Sequence, residues 1–101
     1  MIAGHEARAD DGTIAHAGDV RAQLRLTFQR IRETLDGAGF ALADVVQLRI
    51  HAVDIEAVTA NYDVITMILP EASCRPASVL VQVAALSDPA MLVEVEGVAV
   101  R

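Results

Sequence analysis

The stretch "SVLVQVAALSDPAMLVEVEGVAV", Ser78–Val100, decides how this chain folds. Two apolar runs, Ser78–Leu86 and Met91–Val100, flank "SDPA" (Ser87–Ala90), whose Ser, Asp and Pro are residues that turns select. They read as two strands joined in a hairpin. In the second, Glu94 and Glu96 stand two residues apart, so they project from one face, about 6.5–7 Å apart by strand rise. Two carboxylates so placed repel unless they are solvated or paired with arginine. One pushed toward neutrality is able to act as a general acid or base. A wet outer face, or a salt bridge between subunits, is the plainer alternative.

Working back from that stretch, "IEAVTANYDVITMIL" (Ile55–Leu69) places Val58, Tyr62, Ile65 and Leu69 at helical spacing and stops at Pro70. "DVVQLRIHAVD" (Asp44–Asp54) alternates, with Val46, Leu48, Ile50 and Ala52 on one face and Gln47, Arg49 and His51 on the other, which predicts a strand. A helix is expected from Val20 to Gly37, capped by Asp19, with Leu24, Phe28, Ile31 and Leu35 on its apolar stripe. Arg21, Arg25 and Arg32 lie near its opposite face and read better as a solvated face than as a binding patch. "ARADDGTIAHAGD" (Ala7–Asp19) is loop in composition. The element order is therefore (β)–α–β–α–β–β. Two helices cover one face of a sheet and leave the other, expected to be largely apolar, to a partner chain.

Composition narrows function. A chain of 101 residues makes one domain, and at this size it buries roughly 60–65% of its unfolded surface. With 53% hydrophobic residues and a mean hydropathy of +0.40, it carries more apolar area than one small core hides, which points to an oligomer. A net charge of −6 opposes nucleic acid as a partner. All eight basic residues are arginine, so lysine Schiff-base chemistry is excluded. The apolar runs are too short to span a bilayer, and the opening "MIAGHEARAD" turns charged too early for a signal peptide, so a cytoplasmic protein is expected. His5, His16 and His51 fall on separate elements with no metal-ligand spacing, and Cys74 has no placed histidine partner. No metal or cofactor is implied.

The strings "AGFALADVVQLRIHAVD", "TANYD", "RPASVLVQVAAL" and "LVEVEGVAVR" together resemble the Rid family (YjgF-type proteins, also called L-PSP endoribonucleases). The resemblance runs from Ile2 to Arg101. It implies an α/β (α+β) fold of the chorismate-mutase-like Rid type: a single domain over 1–101 with a mixed sheet covered on one face by two helices. It also implies a homotrimer with three clefts between subunits, and hydrolysis of enamines and imines to ketoacids and ammonia without a cofactor. Glu94 matches the glutamate that positions the attacking water. Gly4 matches a Ser-Gly pair in the family's second strand, here Ala3-Gly4, and Leu80 falls among the substrate-binding positions.

Ser78, however, stands where the family string carries the arginine that clamps the substrate carboxylate, a bidentate task beyond a hydroxyl. Arg75 is the nearest arginine in sequence, on the far side of Pro76. The family's first strand has no counterpart, which suggests a start upstream of Met1; otherwise a loose, uncovered edge is expected at Ile2–Glu6. Three functions follow as expectations. One is a small-molecule binder with lost or altered imine deaminase activity. Another is an active deaminase using Glu94 with Arg75 or another arginine. The third is a substrate-free interaction or chaperone-like trimer. Ribonuclease work is disfavoured by the acidic charge.

Overall fold

The structure, a computed structural model, describes residues 2–71 and 76–100. Strand β1 (Ile2–His5) leads through a loop into helix α1 (Val20–Gly37). A 3-10 turn (Leu42–Asp44) precedes β2 (Val45–Ala52), which is followed by α2 (Ile55–Ala60), α3 (Asp63–Glu71), β3 (Ala77–Gln82) and β4 (Val93–Ala99). The strands form one mixed sheet in the order β1-β4-β2-β3, as expected for an α+β domain.

Helix α1 begins as its sequence dictates: the Asp19 side chain accepts from the Ala22 amide at 3.0 Å, filling an otherwise orphaned donor. Leu24, Phe28, Ile31 and Leu35 are buried against Leu48, Ile50, Val93 and Val95 of the sheet. Gln23 is wholly buried with them. Its Nε2 donates to the carbonyl of Ala90 at 2.8 Å, and its Oε1 accepts from the Leu92 amide at 2.8 Å. One amide side chain thus fixes the helix to the segment that launches β4. Arg21 ties α1 to α3 through a two-pronged pair with Asp63 (2.8 and 2.7 Å), holding that carboxyl below its ordinary range. The pair is exposed and contributes little to stability.

Several sequence expectations need correction. The closing hairpin does not form, because β2 lies between β3 and β4, parallel to the former and antiparallel to the latter. The crossover through α2 and α3 delivers β3 parallel to β2. The "SDPA" turn exists, with Ala90 bonded to the Asp88 side chain, but it sits in a longer connection that carries the chain past the end of β2. The strand from Ser78 stops at Gln82 rather than Leu86, where the Gln82 side chain turns to accept from the Ile55 amide.

The helix expected over Ile55–Leu69 is two helices. Asn61 ends the first, its side chain donating back to the Ala57 carbonyl, and the second runs past Pro70 to Glu71. Val46, assigned to the inner face, is 49% exposed. The β2–β4 register slips between Val45 and Gln47, which turns Val45 inward instead. The beginning of the chain is anchored rather than loose, since β1 pairs with β4 and Ile2 is buried in the core. The outer edge of β1, the end strand of the sheet, pairs with no other strand among the described residues. The helices occupy one face of the sheet. The other face is more polar than anticipated, with Gln47, Arg49, His51, Glu94 and Glu96 set among Val79, Val81 and Val98.

Candidate functional site

The polar face of the sheet is assembled by register. In the antiparallel β2–β4 pair, Arg49 lies opposite Glu96 and His51 opposite Glu94. Residues directly opposite across such a pair have their Cβ atoms about 4.5–5.5 Å apart. The same alternation that buries Val93, Val95, Leu48 and Ile50 under the helices turns these four charged or titratable side chains the other way.

The two glutamates, chemically equal in the sequence, have separate roles. Glu96 is engaged: its Oε1 accepts from His51 Nε2 at 2.9 Å and lies 3.8 Å from Arg49 Nη1. Glu94 has neither hydrogen bond nor ion pair among the described residues. Its carboxylate instead lies over Gly4 of β1, so close that a Cβ at Gly4 would stand 2.8 Å from both Cδ and Oε1. A larger residue at this position would push the Glu94 carboxylate off its present place. The sheet thus holds a half-buried carboxylate above bare backbone, in contact with Gly4 and directly opposite His51. Such a group is equipped to orient a water and exchange a proton with it.

Gly4 and Glu94, two of the residues singled out in the sequence, therefore meet. Ser78 and Leu80 do not join them within one chain. Their register partners are Leu48 and Ile50, so they face the helix side of the sheet, where Leu80 packs on the core and Ser78 is exposed at the β3 edge. Arg75, the candidate substitute clamp, lies outside the described residues, as does Cys74. His5 is bonded to Thr34 of α1 at 2.7 Å, and His16 sits in the loop before α1. Neither reaches Glu94. Missed in the sequence were His51 and Arg49 as neighbours of the glutamates. The alternating pattern of β2 placed both on one face, and pairing β2 with β4 would have revealed the cluster.

A groove of about 800 Å³ lies between α1 and the Phe40–Ala43 segment, over Phe28, Phe40, Leu42 and Ile68, and includes neither Glu94 nor Glu96. A smaller one of about 410 Å³ opens beside Gly4 between β1 and α1, lined by His5, Glu6, Arg8, Arg30, Glu33 and Thr34. Among the described residues no helix is long and apolar enough to cross a membrane.

The family model described as Endoribonuclease L-PSP matches residues 1–101. Among solved structures, Rv2704 from Mycobacterium tuberculosis, a member of the YjgF family, is 35% identical with a TM-score of 0.77 over 94% of this chain and 72% of that one. YyfB of the Rid protein family, from Yersinia pestis, is 29% identical with a TM-score of 0.86, covering 97% of this chain and 74% of that one. TdcF from E. coli, solved with bound serine, is 25% identical with a TM-score of 0.87, covering 98% and 77%. With the polar sheet face, the helices on the opposite side and the full-length match in agreement, the chain belongs to the L-PSP endoribonuclease family, the YjgF/Rid type.

Proposed function

We propose that this chain binds a small molecule at Glu94 and Gly4, in a cleft between subunits of a homotrimer, and hydrolyses imines or enamines there with release of ammonia. The observation that carries the reading is the half-buried Glu94 carboxylate, unpaired among the described residues and laid over Gly4. In the reaction, water adds to the imine carbon, the C–N bond then breaks, and a carbonyl compound and ammonia leave. Glu94 takes the proton of the attacking water and returns it to nitrogen. Binding of a small polar ligand is supported by the serine bound in the relative TdcF.

The division of the candidate residues between two faces supports the assembly. Ser78 and Leu80 sit on the edge strand with the sheet between them and Glu94. They line the same cleft only if the β3 edge of one subunit meets the Gly4–Glu94 face of the next. Ser78 limits what that cleft holds. Without a guanidinium at this position, a substrate carboxylate forgoes a charge-assisted bidentate contact worth about 1.5–3 kcal/mol. The net charge of −6 argues against RNA as the substrate, whatever the family label says.

The test is ammonia release above background from a 2-imino acid generated in situ by an amino-acid oxidase. Slow turnover is expected for the wild type, and Ser78→Arg should raise kcat/KM by about tenfold or more, the equivalent of that lost contact. A wild-type rate that Ser78→Arg leaves unchanged would show that the clamp has been misplaced. The same serine favours a second reading, a trimer that interacts with other proteins and turns over no substrate. Absence of both catalysis and small-acid binding in the wild type and in Ser78→Arg selects it.

A further inference from the structure

His51 stands beside Glu94 without a role in the function just described. Its Nε2 is 2.9 Å from Glu96 Oε1, and an ionised carboxylate only accepts, so Nε2 carries the hydrogen. The imidazole is thereby fixed in one tautomer and orientation, with Nδ1 left free to take up or release a proton. Among the described residues Nδ1 has no hydrogen-bond partner. Its side chain is 22% exposed, so solvent or a ligand reaches it while Glu96 holds it in place.

We propose that His51 is the second acid–base group of this site, oriented by Glu96 and acting on the substrate opposite Glu94. The proposal rests on the function given above. The charged and titratable groups facing His51 are Arg49 on its own strand and Glu94 and Glu96 on β4. From β3 it meets Val81, its register partner, and Val79 beside it, and β1 contributes the bare backbone of Gly4.

The division of labour balances. As Glu94 removes a proton from water and the new C–O bond forms, the C=N electron pair moves to nitrogen, which takes a proton from the His51 imidazolium. In the collapse, the C–N bond breaks and nitrogen leaves as ammonia with the proton stored on Glu94. The hydroxyl proton returns to His51 as the carbonyl forms. Both groups end as they began, and the sum is imine plus water giving carbonyl plus ammonia. A protonated nitrogen is the better leaving group, and this is the step for which one carboxylate alone is poorly equipped.

The experiment measures kcat, KM and the pH–rate profile of wild type, His51→Gln, His51→Phe and Glu96→Gln on the in-situ 2-imino acid, with circular dichroism as a check on folding. Positioned general acids typically contribute at least about 100-fold. The expected result is a loss in kcat of that size for both His51 variants with little change in KM. The basic limb of the wild-type profile should vanish with them. Glu96→Gln, which keeps a hydrogen-bond acceptor but not the charge, should lose less and shift that limb. Wild-type rates and an unchanged profile in folded His51→Gln and His51→Phe would overturn the proposal while leaving Glu94 and the hydrolysis intact. A wild type that releases no ammonia above background, with Ser78→Arg equally inert, would overturn both.

Discussion

Replacing Gln23 with leucine should cost about 3–4 kcal/mol of folding stability, the largest loss expected from any single polar residue in the core. Leucine nearly matches glutamine in volume, so the effect comes from hydrogen bonds rather than packing. The wild-type amide is wholly buried, donating to the Ala90 carbonyl and accepting from the Leu92 amide, with longer 3.3 Å contacts to the carbonyls of Ala15 and His16. In Gln23→Leu at least one backbone donor and one acceptor face hydrocarbon, and each buried orphan costs about 1–3 kcal/mol. Against a total stability of about 5–15 kcal/mol for an ordinary domain, the loss is severe. It should appear in urea titration as a fall in midpoint with unchanged slope. A loss below 1 kcal/mol would mean that water enters to satisfy these groups. The consequence reaches the site, because the segment Gln23 holds, Ala90–Leu92, launches the strand carrying Glu94.

Glu94→Gln should have the opposite character: little effect on stability and a fall of at least about 100-fold in imine hydrolysis, the ordinary worth of a positioned general base. The substitution keeps the side chain's size, so its place over Gly4 is retained. It breaks no hydrogen bond or ion pair among the described residues, since Glu94 makes none there. Glu96→Gln is the comparison: it removes an equal charge two residues along the same strand but leaves His51 an acceptor, and should lose less. If the two amide variants lose activity equally, the placement of Glu94 over Gly4 contributes no more than the group that holds His51. If Glu94→Gln retains full activity, another group activates the water.

Much of this molecule was legible in its sequence, and the failures share a cause. Helix α1 was readable because its signals are local: the Asp19 cap, four apolar residues at helical spacing, and glycines at its end. Strand order was not, since a period of two fixes which side chains share a face but leaves the neighbouring strand open. "SDPA" suggested pairing β3 with β4, whereas the crossover helices place β2 between them. The break at Asn61 was hidden because Val58, Tyr62, Ile65 and Leu69 keep helical spacing across it, and the bulge that turns Val46 outward leaves no trace in composition.

The site divides in the same way. That Glu94 and Glu96 share a face follows from alternation alone. That Glu96 is engaged while Glu94 has no hydrogen bond or ion pair among the described residues depends on His51 and Arg49, which only the β2–β4 register brings opposite them. The separation of Ser78 from Glu94 by the sheet likewise needed the register of β3 on β2.

The proposed function requires two chains to complete the Glu94 site together. A crystal structure of the protein grown with L-serine, the ligand bound in the relative TdcF, tests this most directly. The expected result is a closed trimer, with serine held between the Gly4–Glu94 face of one subunit and the Ser78–Leu80 edge of the next. Serine bound elsewhere, or an assembly in which the β3 edge never approaches a neighbour's Glu94, would contradict it.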